Sequence, residues 1–507
     1  MLPFEESRFV SVRRSLAFGL ASAACSALVG LAVVPFYLRF LGIEAYGLVG
    51  IYSAAFALFS LLDFGLAPAM TREMARCTAT NNVRPARVLL HSLSILYWST
   101  AVAIALAATV GAPLLSRGWF TATQLPQESM RTALMLIGLV LACRWPQALY
   151  LGALLGAERM VTVSTITMAM TMTSGFGAVA MLAWVSPTIE AFFIWQAAVG
   201  LLHVLILRAV TWHVIGTEQG LRFSKAAVKS IWRFSTGIGG VALTALILTQ
   251  VDKVILSRLL TLSSFGEYTL ATVAASAVYL IVNPVFNIIY PRFTALVAAG
   301  AHSQLAQLYR AGTRTLAVAL FPLCMTLAIF ANDILFVWTG NQQLAESVAP
   351  VLTLLVAGAA LHSVMYFPYA LQLAYGSTRL PLTISGILLI VSAPLTAALA
   401  WRYGTKGGAT ANVLLYVLYL FLGTWMTHRK LLPSIGWSWL LRDVCLPFCI
   451  SLSFGVIGKV VLVNATWTTG QKLGLACLLL SAAWIASVAS GPRELLLWTF
   501  QARKAPQ

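Results

Sequence analysis

The 507-residue chain predicts an all-α protein that crosses a membrane about fourteen times, as two parallel six-helix lobes followed by two more helices. Three observations predict it. Only 9% of the residues are charged and 60% are hydrophobic, against roughly 25% charged in an ordinary soluble domain. The apolar residues fall in long runs, such as 15–38, 86–112 and 444–463, and each reaches the roughly 20 residues that cross a hydrocarbon core about 30 Å thick. Finally, two segments match at one constant offset of 219 residues.

Taken in order, spans are expected near 15–39, 47–69, 88–112, 131–156, 160–184 and 189–212. Six more follow at 234–257, 267–290, 313–337, 347–375, 381–401 and 407–427, and the last two at 444–463 and 471–490. The first apolar run is too long for a signal-peptide core and follows no cleavage site, so it is expected to remain as the first span. The domains expected are a lobe at 1–212, a cytoplasmic linker at 213–233, a second lobe at 234–427, and the two extra helices with a tail at 428–507.

Orientation follows from Lys and Arg, which concentrate in cytoplasmic connectors. With the N-terminus inside, 23 of the 33 basic residues fall in inner segments, Arg72, Arg76, Arg84, Arg87, Arg222 and Lys225 among them. Seven fall outside (Arg39, Arg117, Arg131, Arg258, Arg402, Lys406, Lys472), and Arg144, Lys253 and Lys459 lie within spans. Both termini are therefore expected in the cytoplasm. The same placement explains the net charge of +18 and sets aside nucleic-acid binding, which needs basic residues gathered on one folded face. The seven cysteines lie in apolar runs or inner connectors, so no disulfide framework is expected. Asn464-Ala-Thr466 matches a glycosylation sequon by pattern only.

At the 219-residue offset Arg14 aligns with Arg233, Arg39 with Arg258, Leu41 with Leu260, Tyr46 with Phe265 and Gly47 with Gly266. Six spans precede the second copy. Six is an even number, so the copies run parallel, and such proteins carry their site between the lobes near mid-membrane.

A charge in mid-span costs roughly 2.5–3.5 kcal/mol and so faces an interior or a cavity. Arg144 precedes Trp145-Pro146, and the proline is expected to kink the span. Beside that kink its guanidinium either forks onto phosphate oxygens or pairs with a carboxylate of another span. Asp252 and Lys253 neutralise one another or flank an ion path, with Arg258 close behind. Asp63, in Asp63-Phe-Gly65-Leu-Ala-Pro68, exchanges a proton, pairs with an Arg, or clamps helices together. Histidine as a residue type can change charge near neutral pH, so His362 is expected to be either a proton carrier or a packing residue. Asn283-Pro284 is expected to break its helix, while Gly237, Gly239 and Gly240 permit close helix approach. There is no Walker sequence, paired-His metal box or nucleophile elbow, so neither enzyme chemistry nor a cofactor is expected. Transport would have to draw on an ion gradient, membrane potential or substrate gradient.

The stretch Pro35-Phe-Tyr37-Leu-Arg39-Phe-Leu41-Gly42-Ile-Glu-Ala-Tyr46-Gly47, then Asp63-Phe-Gly65-Leu66 and Arg72, resembles the N-terminal signature of polysaccharide flippases. Gln147…Gly152…Gly156-Ala-Glu158-Arg159, Gln250-Val-Asp252-Lys253, Phe265-Gly266-Glu-Tyr268 and Pro291 continue the likeness over about 430 residues. The chain is thus similar to the Wzx-type O-antigen and polysaccharide flippases of the multidrug/oligosaccharidyl-lipid/polysaccharide exporter superfamily. The resemblance implies a protein of the bacterial inner membrane that turns undecaprenyl-diphosphate-linked oligosaccharide from the cytoplasmic to the periplasmic leaflet, for surface polysaccharide such as lipopolysaccharide or exopolysaccharide. Under it, Arg144, Arg39 and Arg258 would meet the diphosphate, and Asp63, Asp252, Lys253 and His362 would serve coupling or gating. Its partners would be the lipid-linked oligosaccharide, membrane lipid and other glycan-assembly membrane proteins. Two alternatives stand beside it. A drug or cation exporter of the same superfamily should hold more intramembrane carboxylates, and a glycan polymerase or ligase should carry a sizeable periplasmic loop.

Overall fold

Lipid offers backbone N–H and C=O groups no partner but one another, so apolar runs of this length must fold as helices. The computed structural model describes residues 3–80, 82–217, 220–463 and 468–489. They form seventeen α-helices and, among the described residues, no strand beyond an isolated bridge between Thr121 and Thr261. Eleven helical stretches among them are long and apolar enough to cross a membrane. The chain divides into two compact units, Met1–Gly266 and Glu267–Gln507.

The first unit holds α1 (Pro3–Phe59), α2 (Leu66–Ala79), α3 (Arg84–Gly118), α4 (Gln127–Arg144), α5 (Gln147–Gly156), α6 (Met160–Trp184), α7 (Ile189–Ile215), α8 (Lys225–Leu259) and the start of α9 (Leu262–Ser276). Gly42 divides α1, with φ 76° and ψ 170°, a conformation that glycine adopts without the clash a Cβ would make. The second span, expected to end near 69, instead stops being α-helical at Phe59. A 3₁₀ turn at Ser60–Asp63 and left-handed Phe64 and Gly65 redirect the chain into α2, which carries on to Ala79. That extension is polar, with Arg72, Glu73 and Arg76, so the apolar run could not foretell it. Pro146 parts α4 from α5 as expected. The segment α5 then lies on α2 through two glycines. A Cβ at Gly152 would stand 2.7 Å from the Ala67 carbonyl oxygen, and one at Gly156 2.4 Å from that of Thr71, the close backbone approach that small residues four apart allow in membranes.

The second unit continues with α10 (Tyr279–Ala298), α11 (His302–Ile329), α12 (Ala331–Thr339), α13 (Gln342–Val364), α14 (Tyr366–Ala374), α15 (Arg379–Leu431), α16 (Leu446–Val463) and α17 (Thr469–Ala489). Gly404, at φ 61°, divides α15 as Gly42 divides α1. The last two helices pack on α11 and on each other. One expectation is corrected here: α10 runs unbroken through Pro284, and the break falls earlier, at Ala277–Val278. A proline removes one hydrogen bond and crowds the carbonyl four residues back, so the disturbance appears toward the N-terminal side of the ring.

The 219-residue offset recurs in the helix boundaries. It relates the ends of α2 and α10 at Ala79 and Ala298, and the starts of α6 and α15 at Met160 and Arg379. It also relates the interruptions at Gly42 and Thr261, and those at Pro146 and Met365. Between Ile215 and Lys225 the described residues are non-helical, and Ser224 caps α8 by accepting a hydrogen bond from the Ala227 N–H. The helix α8 packs on α1, α2 and α3, so the compact division falls after Gly266.

Polar ties join chain ends expected on one side of the membrane. Arg87 donates twice to the Ile215 carbonyl, at 2.9 and 2.7 Å, and Arg310 pairs with Asp443 at 2.8 Å. At the opposite ends, buried Glu44 accepts from the Thr123 and Gln124 N–H groups, at 2.6 and 2.9 Å, and Lys472 pairs with Asp333 at 2.9 Å. The sequon at Asn464 and the basic residues Arg493, Arg503 and Lys504 lie outside the described residues.

Candidate functional site

In the first unit the kink at Trp145-Pro146 fixes Arg144. Its Nη2 donates to Gln196 Oε1 on α7, at 2.7 Å, and to Ser174 Oγ on α6, at 3.2 Å. The guanidinium also lies 5.8 Å from the centre of the Tyr52 ring, and Gly200 leaves room for its stem, since a Cβ there would stand 2.9 Å from Arg144 Cγ. Among the described residues its hydrogen-bonding partners are these neutral groups, and no carboxylate forms an ion pair with it. Hydrogen bonds from Nε and Nη1 to described residues are likewise absent. Burial of a cation without a countercharge is costly, so the arrangement presents a held positive charge with donors to spare.

Asp63 occupies the break before α2. It accepts from the Ala67 N–H at 3.2 Å and from the Tyr97 hydroxyl of α3. The carboxylate thereby caps the new helix and clamps it to α3, whose Tyr97 ring packs against Trp145 at 5.9 Å. An expected outcome follows. Asp63→Ala should cost about 1–3 kcal/mol, chiefly by orphaning the buried Tyr97 hydroxyl. Adding Tyr97→Phe should restore part of that loss in thermal unfolding, and a double variant no more stable than Asp63→Ala would refute the clamp.

Lys253 turns back to Gln250 Oε1 at 3.0 Å, beside half-buried Asp252. Arg39 is exposed three residues before the Gly42 break, and Arg258 is exposed three residues before Thr261, with its Nη1 3.5 Å from the Trp119 carbonyl oxygen. The structure therefore does not gather the three expected phosphate ligands. Arg144 bonds within α6 and α7, while the other two sit at helix ends.

In the second unit the equivalent interruption, at Met365, presents His362. Tyr279 OH lies 2.9 Å from its Nδ1. Tyr416 stacks on the imidazole at 4.6 Å between centroids, and Tyr366 and Tyr419 flank it at 5.5 and 6.1 Å. From this cage a row of half-buried rings continues. Phe286 stacks with Tyr290 at 5.8 Å and with Tyr369 at 6.0 Å, and meets Tyr366 edge-on at 5.6 Å. Sequence reasoning passed over these rings. Tyr279, Phe286 and Tyr290 recur at i, i+7 and i+11, which places them on one helix face, a spacing that marks packing as readily as binding.

This is a multi-pass helical membrane protein, and its fold is found in other solved membrane proteins. The structure is similar to "Lipid II flippase MurJ, inward closed conformation", with a TM-score of 0.74 and 13% identity over 95% of this chain and 100% of that one. It is also similar to an inward-facing multidrug resistance MATE family transporter of the MOP superfamily, with a TM-score of 0.62 and 14% identity over 81% and 96%. A third likeness is to a MOP superfamily transporter from Pyrococcus furiosus, with a TM-score of 0.52 and 16% identity over 83% and 96%. Among curated proteins none matches. The family described as "Polysaccharide biosynthesis protein" matches residues 12–297, and the chain belongs to it. The fold is one that solved flippase and multidrug transporter structures share.

Proposed function

We propose that the protein translocates a polyprenyl-diphosphate-linked oligosaccharide from the cytoplasmic to the periplasmic leaflet of a bacterial inner membrane, by alternating access of lobes 1–212 and 234–427. The observation that carries this reading is the pairing of two chemistries at equivalent kinks. Arg144 offers an uncompensated guanidinium to a phosphate. The row from Tyr279 to Tyr369 offers aromatic faces, whose negative quadrupole meets the slightly positive C–H faces of sugars, with phenol hydroxyls for sugar oxygens. Arg39 and Arg258 would steer the anionic cargo at the helix ends. Asp252, Lys253 and His362 would serve coupling, and Asp63 would hold the gating break in shape.

The deciding experiment follows lipid-linked oligosaccharide by membrane leaflet in cells lacking the gene. A complete unit accumulating on the cytoplasmic leaflet supports the reading. Unchanged turnover, with no redundant transporter, ends it. A second expected outcome concerns the aromatic row. Phe286→Ala and Tyr366→Ala should each weaken apparent affinity for the glycan carrier by roughly tenfold while leaving the maximal rate near wild type. Loss confined to the rate would argue against a binding platform.

Export of an organic cation is the second reading, and one observation favours it: four tyrosines around His362 make a box whose faces also attract cations. It predicts transport of a quaternary ammonium dye, lost in Tyr416→Ala, with the oligosaccharide distribution unchanged.

A further inference from the structure

A separate cavity of about 790 Å³ opens between α3 and α7 of the first unit, within the usual range for ligand pockets. His91, Ser94 and Trp98 line it from α3, Tyr150 from α5, and Arg208 and Trp212 from α7. The two helices are tied at one end by the Arg87–Ile215 bonds, and the Ser224 N–H docks on Ser92 Oγ at 3.0 Å. His91 stands seven residues from the start of α3 and Arg208 seven from the end of α7, so each lies about 10 Å inward along its helix.

Inside the cavity some of the polar groups bond to one another. Trp98 Nε1 donates to Tyr150 OH at 3.3 Å, and that hydroxyl donates to Ser94 Oγ at 3.3 Å. Neither Arg208 nor His91 makes a hydrogen bond or ion pair to a described residue, and no described carboxylate lines the walls. The second unit offers a contrast. Its smaller cavity of about 270 Å³ holds His428 and Arg429. There, however, His428 bridges Tyr309 OH and the Gly436 carbonyl oxygen, at 2.9 and 3.1 Å, and Arg429 lies over the Trp425 ring.

We infer that the α3/α7 cavity binds the phosphate of an anionic phospholipid. Arg208 forks onto phosphate oxygens, His91 adds a second donor, and Ser94 and Tyr150 meet the glycerol oxygens. Trp98 and Trp212 are amphipathic rings of the kind that sit at headgroup level. Deeper along the same helices Ile95, Val102 and Leu205 are exposed and offer apolar flanks to acyl chains, which a soluble phosphate would leave unused. Basic Arg222 and Lys225 follow directly in the chain, and such segments draw anionic lipid. The site is independent of which cargo the protein moves.

The test is native mass spectrometry of the purified full-length protein, titrated with phosphatidylglycerol, phosphatidylcholine or inorganic phosphate. The wild type should retain one phosphatidylglycerol about tenfold more tightly than Arg208→Gln/His91→Gln, and more tightly than it retains phosphatidylcholine. Arg208→Lys, which keeps the charge, should fall between, and shows that loss in the double variant is not loss of fold. Equal retention in the double variant would overturn the site. Displacement of the lipid by inorganic phosphate would show a soluble anion to be the ligand and overturn the lipid assignment.

Discussion

Replacing Gly266 by alanine is expected to destabilise the protein by about 1–3 kcal/mol, the usual cost of overpacking, and Gly47→Ala should do the same. A Cβ on Gly266 would stand 2.2 Å from the Ile43 carbonyl oxygen, and one on Gly47 2.4 Å from the Leu262 carbonyl oxygen. Ile43 and Leu262 are themselves 219 residues apart, so the two clashes are one crossing seen from each repeat. Both obstacles are backbone atoms, which no rotamer change can move aside. The crossing is also anchored, because Leu262 N–H donates to the Thr121 carbonyl at 2.9 Å and Trp119 Nε1 donates to Ser257 Oγ at 3.1 Å. Once one alanine has forced the backbones apart, the second should add little. Thermal unfolding of both single variants and the double should therefore show a coupling of about 1–2 kcal/mol, as for residues that share one contact. Simple addition of the two losses would mean that the glycines act separately.

That crossing marks how far the sequence could be read. Apolar runs announced the helices because lipid leaves the backbone no alternative, and Met160–Trp184 was legible to the residue. The repeat was visible in a handful of identities, among them Gly47 with Gly266, but what those glycines touch was not. Where helices break was partly legible. Pro146 announces itself through its missing N–H, whereas Gly42 is one glycine among 36, and its non-helical φ of 76° and ψ of 170° inside α1 are visible only in the structure. The site was legible as a set of intramembrane charges but not as contacts. Nothing in the local sequence of Asp63 points to Tyr97, 34 residues on. The rings around His362 come from α10, α14 and α15, brought together by tertiary packing alone.

The largest functional effect is expected at Arg144. In Arg144→Ala transport should fall by roughly tenfold to a hundredfold, the equivalent of about 1.5–3 kcal/mol for hydrogen bonds to a charged group. Stability should hold or rise. The reason lies in its partners, which satisfy each other without it: Ser174 Oγ donates to Gln196 Oε1 at 2.7 Å, and Gln196 Nε2 donates to the Ser174 carbonyl at 3.3 Å. Removing the guanidinium therefore orphans no acceptor, and it relieves the roughly 2.5–3.5 kcal/mol that a mid-span charge costs on insertion scales. A purely structural arginine would behave in the opposite way, with stability lost and transport per folded molecule kept. Arg144→Lys separates charge from geometry, since an ammonium keeps the charge but not the planar fork, and it should retain part of the activity. The measurement is flux of lipid-linked oligosaccharide per molecule in the membrane, with the thermal midpoint read on the same preparations. Undiminished flux in Arg144→Ala at normal abundance would remove Arg144 from the phosphate site and leave it as a helix clamp.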